Sequence, residues 1–105
     1  MKAAQHPTAL RNAQLLRLAD ILTDVVEFEQ PVRTSAEAAA AIGCSVAVIA
    51  KSIVFRGQTS GLAVMVVASG DNRVSEAKVA ALVGEGLGRA DADFVRAATG
   101  YAIGG

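Results

Sequence analysis

At 105 residues the chain has room for one domain with a real core and not for two. Hydrophobic residues make up 52% of it, which favours folding over disorder, and ten basic against ten acidic side chains leave no net charge for holding a polyanion except through a few placed cations. The one cysteine, Cys44, excludes an internal disulfide and a Cys-cluster metal site; 4% aromatic residues without tryptophan argue against a base-stacking platform.

The chain opens on MKAAQHPTALRNAQ, without the continuous apolar core of a signal peptide, and no run reaches membrane-spanning length. A soluble, cytoplasmic protein is the expectation. Met1 to Pro7 reads as a loose terminus. From Thr8 to Thr23 the spacing of Leu15, Leu18, Ala19 and Leu22 predicts a helix. Val25 to Glu29 predicts a short strand with one wet face, stopped by Pro31. Thr34-Ser35-Ala36-Glu37 is a capping box that opens an alanine-rich helix, and Gly43 ends it.

The densest apolar stretch follows. Ile49–Phe55 and Leu62–Ala68 are rich in Val, Ile, Phe and Met and predict a hairpin, joined by Arg56-Gly57-Gln58-Thr59-Ser60-Gly61. Gly70 to Ser75 reads as a turn, Ser75 to Val83 as a helix, and Gly84 to Arg89 as a flexible loop. A last helix spans about Asp91 to Ala98, capped by Asp91 and ended by Gly100. The sequence stops at Tyr101-Ala102-Ile103-Gly104-Gly105.

Two features carry more than packing. Lys51 lies among Ile49, Ala50, Ile53, Val54 and Phe55. Such a lysine either snorkels to water or points its charge into a cleft, and the residues alone leave both open. Gly70-Asp71-Asn72-Arg73 before a helix could form an anion-binding nest, although a plain strand-to-helix turn is the commoner use of such residues. Gly84-Glu85-Gly86-Leu87-Gly88-Arg89 has the wrong helix placement for dinucleotide binding. His6 has no partner for catalysis and reads as a surface residue, and Cys44 as a small buried thiol. Asp20, Asp24, Glu27 and Glu29 read as solvation, with no spacing that suggests an acid/base pair. The usual catalytic kit is missing, and nothing calls for a metal or another cofactor.

Four segments, TSAEAAAAIG (34–43), IAKSIVFRG (49–57), VVASGDNRVSEAK (66–78) and TGYAIGG (99–105), stand in an order and spacing that resembles the YbaK / prolyl-tRNA-synthetase-associated aminoacyl-tRNA editing domain family. The likeness runs from about Thr34 to the last residue. It implies an α+β fold: a mixed sheet curled into a partly closed barrel, with flanking helices. It also implies a single editing domain over residues 1–105 whose C-terminal part is missing, because the family's Gly-x-x-x-Pro motif opens at Gly104 and its domain continues well beyond.

The function implied is a trans-editing deacylase that hydrolyses mischarged tRNA, above all tRNA for proline carrying alanine or cysteine. The alternative is a non-catalytic module of the same fold that binds a tRNA end or a protein. The resemblance matches Lys51 to the family's strand lysine and gives Lys51 and Gly104 the catalytic roles. Ser52, Gly70, Asp71, Arg73 and Gly105 are then the substrate-binding residues. An aminoacyl ester is already activated, so orientation, a placed water or ribose hydroxyl, and oxyanion stabilisation suffice for catalysis. Selection would be by size, with proline excluded. The implied partners are the acceptor end of a mischarged tRNA, with a prolyl-tRNA synthetase or an elongation factor beside it. No membrane is implied, and a second copy could join through an exposed sheet edge.

Overall fold

The structure, a computed structural model, describes residues 1–104. The chain divides into two compact units, Met1–Val32 and Arg33–Gly105.

The first unit holds strand β1 (Lys2–Ala3), helix α1 (Pro7–Leu18) and strand β2 (Val26–Glu27). The strands pair antiparallel, Lys2 with Glu27 and Ala3 with Val26, so the expected loose terminus is in part a strand. Helix α1 ends well before Thr23. Asp20 adopts a left-handed φ of 59°, its N–H donates to the Arg17 carbonyl at 3.0 Å, and the Ile21 N–H donates to Leu16 at 2.8 Å. This is a Schellman ending with aspartate where glycine is usual. Leu18 and Leu22, expected on the apolar face, are 75% and 93% exposed. Two carboxylates read as solvation are structural instead: Asp20 turns the helix end, and Glu27 takes two backbone N–H groups, described below.

The second unit is built on strands β3 (Ala50–Gly57) and β4 (Ala63–Ser69), the expected hairpin. Strand β5 (Leu87–Arg89) pairs with the other edge of β3, so the sheet order is β4-β3-β5. Both sheets are antiparallel, and the α+β class is as expected. Helices α2 (Ser35–Ile42) and α4 (Ala92–Thr99) begin and end at the expected caps, and α3 (Glu76–Val83) fills the span expected for it. Thr34, Ser75 and Asp91 accept the N–H groups of Glu37, Lys78 and Phe94, and Gly43, Gly84 and Gly100 take left-handed C-terminal positions. Strand alternation gives the sheet two unlike faces. Lys51, Ile53 and Phe55 with Ala68, Val66 and Val64 form a half-buried face; Ser52 and Arg56 with Val67, Met65 and Ala63 form the open one. The buried apolar residues among those described are Ala39, Ala90 and Val95.

The stretch 84–89 is not the flexible loop expected. Gly84 closes α3, and Leu87–Arg89 is a strand. Its start is fastened to the hairpin tip. The Glu85 carboxylate accepts the N–H groups of Thr59 and Ser60, both at 2.9 Å, and the Ser60 hydroxyl at 2.7 Å. Gln58 donates its backbone N–H to Gly86 at 2.9 Å and its side-chain amide to Leu87 at 3.2 Å. The glycines that suggested flexibility allow this close approach: a Cβ on Gly57 would lie 2.6 Å from the Glu85 carboxyl carbon.

Candidate functional site

Lys51 lies opposite Ala68 on the half-buried face, and its ammonium donates to the Gly70 carbonyl at 3.5 Å. The β3–β4 pairing carries this contact, because Gly70 directly follows the last residue of β4. No carboxylate among the described residues forms an ion pair with Lys51, so its charge is held by a backbone dipole and two further donors remain.

Gly70 is itself fixed. Its N–H donates to the Ile49 carbonyl at 2.6 Å. A Cβ there would lie 2.7 Å from the Val46 carbonyl oxygen and 2.8 Å from the Ser35 Cβ. The start of α2, a 3₁₀ turn at Val46–Val48 and the end of β4 therefore converge beside Lys51. The Ser69 hydroxyl ties the corner further by donating to Ala47 at 2.6 Å.

Backbone donors of the neighbouring turn are used within the chain. Besides Gly70, Asp71 N–H donates to the Ser69 hydroxyl at 3.4 Å and Asn72 N–H to the Ser69 carbonyl at 3.0 Å. Asp71 and Arg73 are exposed at the rim of this turn. Ser52 lies on the other face of the sheet, opposite Val67, so its side chain does not share the Lys51 face. Gly104 is exposed with a φ of 74°, and nothing lies within 4 Å of where its Cβ would be. Gly105 lies outside the described residues. Of the expected site residues, the structure thus brings Lys51 and Gly70 into contact, with Asp71 next to them. Sequence reasoning missed Ser35 and Ser69, whose signal was their position: one opens the capped helix, the other ends the uncharged strand.

A shallow depression of about 430 Å³ lies elsewhere, lined by Arg56, Gly57, Gln58, Thr59, Ser60, Gly61 and Gly88. It is about 20 Å along β3 from Lys51 at the usual rise per residue. Its wall is the Glu85-clasped tip, and Arg56 stacks over the Phe94 ring at 4.8 Å. The backbone N–H groups of Gly57, Gln58, Thr59, Ser60 and Gly61 all have acceptors within the chain, which leaves few donors for a ligand. The Lys51 corner is the better candidate on chemistry. Among the described residues no cluster of His, Cys, Asp and Glu could hold a metal ion, Cys44 is half-buried, and no helix is long and apolar enough to cross a membrane.

The sequence model of one family, the aminoacyl-tRNA editing domain, matches residues 29–105. Among solved structures, a proposed trans-editing enzyme for prolyl tRNA synthetase is 38% identical with a TM-score of 0.84, over 97% of this chain and 64% of that one. A structure from work on epitope backbone grafting onto scaffold proteins is 36% identical with a TM-score of 0.85, over 96% of this chain and 64% of that one. The hypothetical protein APE2540 is 29% identical with a TM-score of 0.79, over 90% of this chain and 63% of that one. The chain therefore spans just under two thirds of the length of these structures. No curated protein matches it.

Proposed function

Because the chain belongs to the aminoacyl-tRNA editing domain family, we propose that it hydrolyses the ester of a wrongly charged tRNA, with the Lys51 corner as its binding site. The observation that carries this reading is a half-buried ammonium, with no carboxylate of the described residues paired to it, beside a rigid backbone corner. Such a cation suits a phosphate or ribose hydroxyl of the acceptor end, and a backbone-defined corner holds its geometry without side-chain reorganisation. In the reaction a water oxygen bonds to the aminoacyl carbonyl carbon and the bond from that carbon to the ribose oxygen breaks. The ribose oxygen takes a proton, leaving a free amino acid and an uncharged tRNA. Lys51 fixes the nucleotide; Gly70, Asp71 and Arg73 border the same end of the sheet, and Gly104 with Gly105 offers backbone to the aminoacyl group. Ser52 serves only a part of the substrate that reaches the open face.

The proposed substrates are alanine- and cysteine-charged tRNA for proline, in keeping with the similar structure described as a trans-editing enzyme for prolyl tRNA synthetase. A synthetase or elongation factor would then deliver the charged tRNA. A cytoplasmic location follows from that role. The outer edge of β4 has no partner strand among the described residues, and a second copy could pair there.

The test is a deacylation panel with tRNA for proline charged with alanine, cysteine, serine or proline. Hydrolysis of the small residues with proline spared is the expected result. Binding of the tRNA without turnover would instead favour a non-catalytic module, and neither binding nor turnover would overturn both.

A further inference from the structure

The start of α1 is fastened by two side chains that both act as acceptors in their unprotonated forms, one an anion and one neutral. The ring Nδ1 of His6 accepts the Thr8 N–H at 3.1 Å, and the His6 backbone is extended as a cap requires. The Glu27 carboxylate on β2 accepts the N–H groups of Gln5 at 2.9 Å and His6 at 2.5 Å. An imidazole accepts at Nδ1 only when neutral, with its proton on Nε2. We propose that His6 is a proton-sensitive cap, holding α1 closed when neutral and releasing the Thr8 N–H when it gains a proton.

The chemistry is a single proton transfer from solvent to Nδ1. The lone pair that accepted the Thr8 N–H now carries hydrogen, so two donors face each other. The ring's new positive charge also sits at the positive end of the helix. Charged groups nearby are Glu27 on β2 and its ladder partner Lys2 on β1, with Arg11 along α1 itself. Glu27 interacts favourably with a charged His6 and keeps its hold on the Gln5 and His6 N–H groups, so release is confined to the Thr8 bond. The device therefore loosens the first turn of α1 without dissolving β1–β2.

His6 is the sole histidine of the chain, so its titration can be read without ambiguity. The experiment is NMR of the whole chain from about pH 8 to about pH 5. At the upper end the ring should be the Nε2–H tautomer. The Thr8 amide resonance should move with the same midpoint as the ring, and its protection against exchange should fall about fivefold, the usual worth of a cap. His6→Asn caps without titrating, so it should keep the protection and lose the pH response. An Nδ1–H tautomer, a Thr8 amide that does not follow the ring, or an unchanged response in His6→Asn would each overturn the proposal.

Discussion

The hydroxyl of Ser60 and the carboxylate of Glu85, 25 residues apart, meet at 2.7 Å and join the hairpin tip to the start of β5. With the Thr59 and Ser60 N–H groups also on Glu85, one carboxylate organises a loop that otherwise has two glycines and no apolar side chain.

This clasp makes stability depend on acid. The Ser60 N–H, the Ser60 hydroxyl and the Thr59 N–H, in that order, hold the Glu85 carboxyl below its ordinary value of 4.5. A carboxyl with a lowered folded value binds protons more readily when unfolded. Its stabilisation is complete above the ordinary value and is lost as pH falls through the folded one. Glu85→Gln should lower the melting temperature at neutral pH and flatten the acid limb of the melting curve. Melts of wild type and variant from about pH 7 to about pH 3 check this; parallel acid limbs would show that the clasp does not titrate with folding.

The corner beside Lys51 should reject even a methyl group. Gly70→Ala forces its Cβ against the Val46 carbonyl and the Ser35 side chain, and overpacking of this kind costs about 1–3 kcal/mol. Gly84→Ala meets open space, so its cost is that of the left-handed backbone, about 1–2 kcal/mol. The two are told apart by Ser35→Gly, which clears the side-chain clash at Gly70 but does nothing for Gly84. Denaturant unfolding of the single and double variants should show partial rescue of Gly70→Ala alone.

Two helices of the second unit were legible because their ends are chemical: Thr34 and Asp91 cap, and Gly43 and Gly100 terminate; α3 was legible from its apolar spacing alone. The hairpin was legible because two uninterrupted β-branched runs flank a polar, glycine-containing tip. The end of α1 was not, because Asp20 adopts a conformation usually left to glycine. Nor was β5, whose Leu-Gly-Arg has no strand pattern and exists through pairing with Phe55, Arg56 and Gly57. At the candidate site the lysine stood out against its apolar neighbours. Its contact with Gly70 did not, because hairpin register sets it across 19 residues.

Binding of tRNA should be only mildly sensitive to salt. The chain has zero net charge, and Lys51, Arg73 and Lys78 are the cations at or near the candidate corner in sequence. About three phosphate contacts give a log–log slope of roughly −2 to −3, against far steeper values for proteins that neutralise six to ten phosphates. Titrations with tRNA for proline between low and moderate salt measure the slope directly. A slope steeper than about −5 would mean that a wider basic surface is engaged.

The decisive substitution is at Lys51. Lys51→Met keeps the apolar stem on the half-buried face and removes the ammonium from the Gly70 carbonyl. If the charge served only to reach water, stability would change by less than about 0.5 kcal/mol and hydrolysis would be untouched. If it positions the acceptor end, its loss removes a charge-assisted contact worth on the order of 2–3 kcal/mol, or roughly thirty- to a hundred-and-sixty-fold in rate. The fold should remain, because the carbonyl it leaves belongs to a residue already pinned through its own N–H to Ile49. Lys51→Arg should rescue incompletely, since a planar guanidinium presents its donors in a different shape and at a different reach. Single-turnover hydrolysis of alanine- and cysteine-charged tRNA by the three proteins, with a melt of each, separates the cases. A large loss in rate with an unchanged melt assigns Lys51 to the substrate. Equal rates in all three would leave it as a snorkelling lysine and move the search for the site to Gly104 and the residues around it.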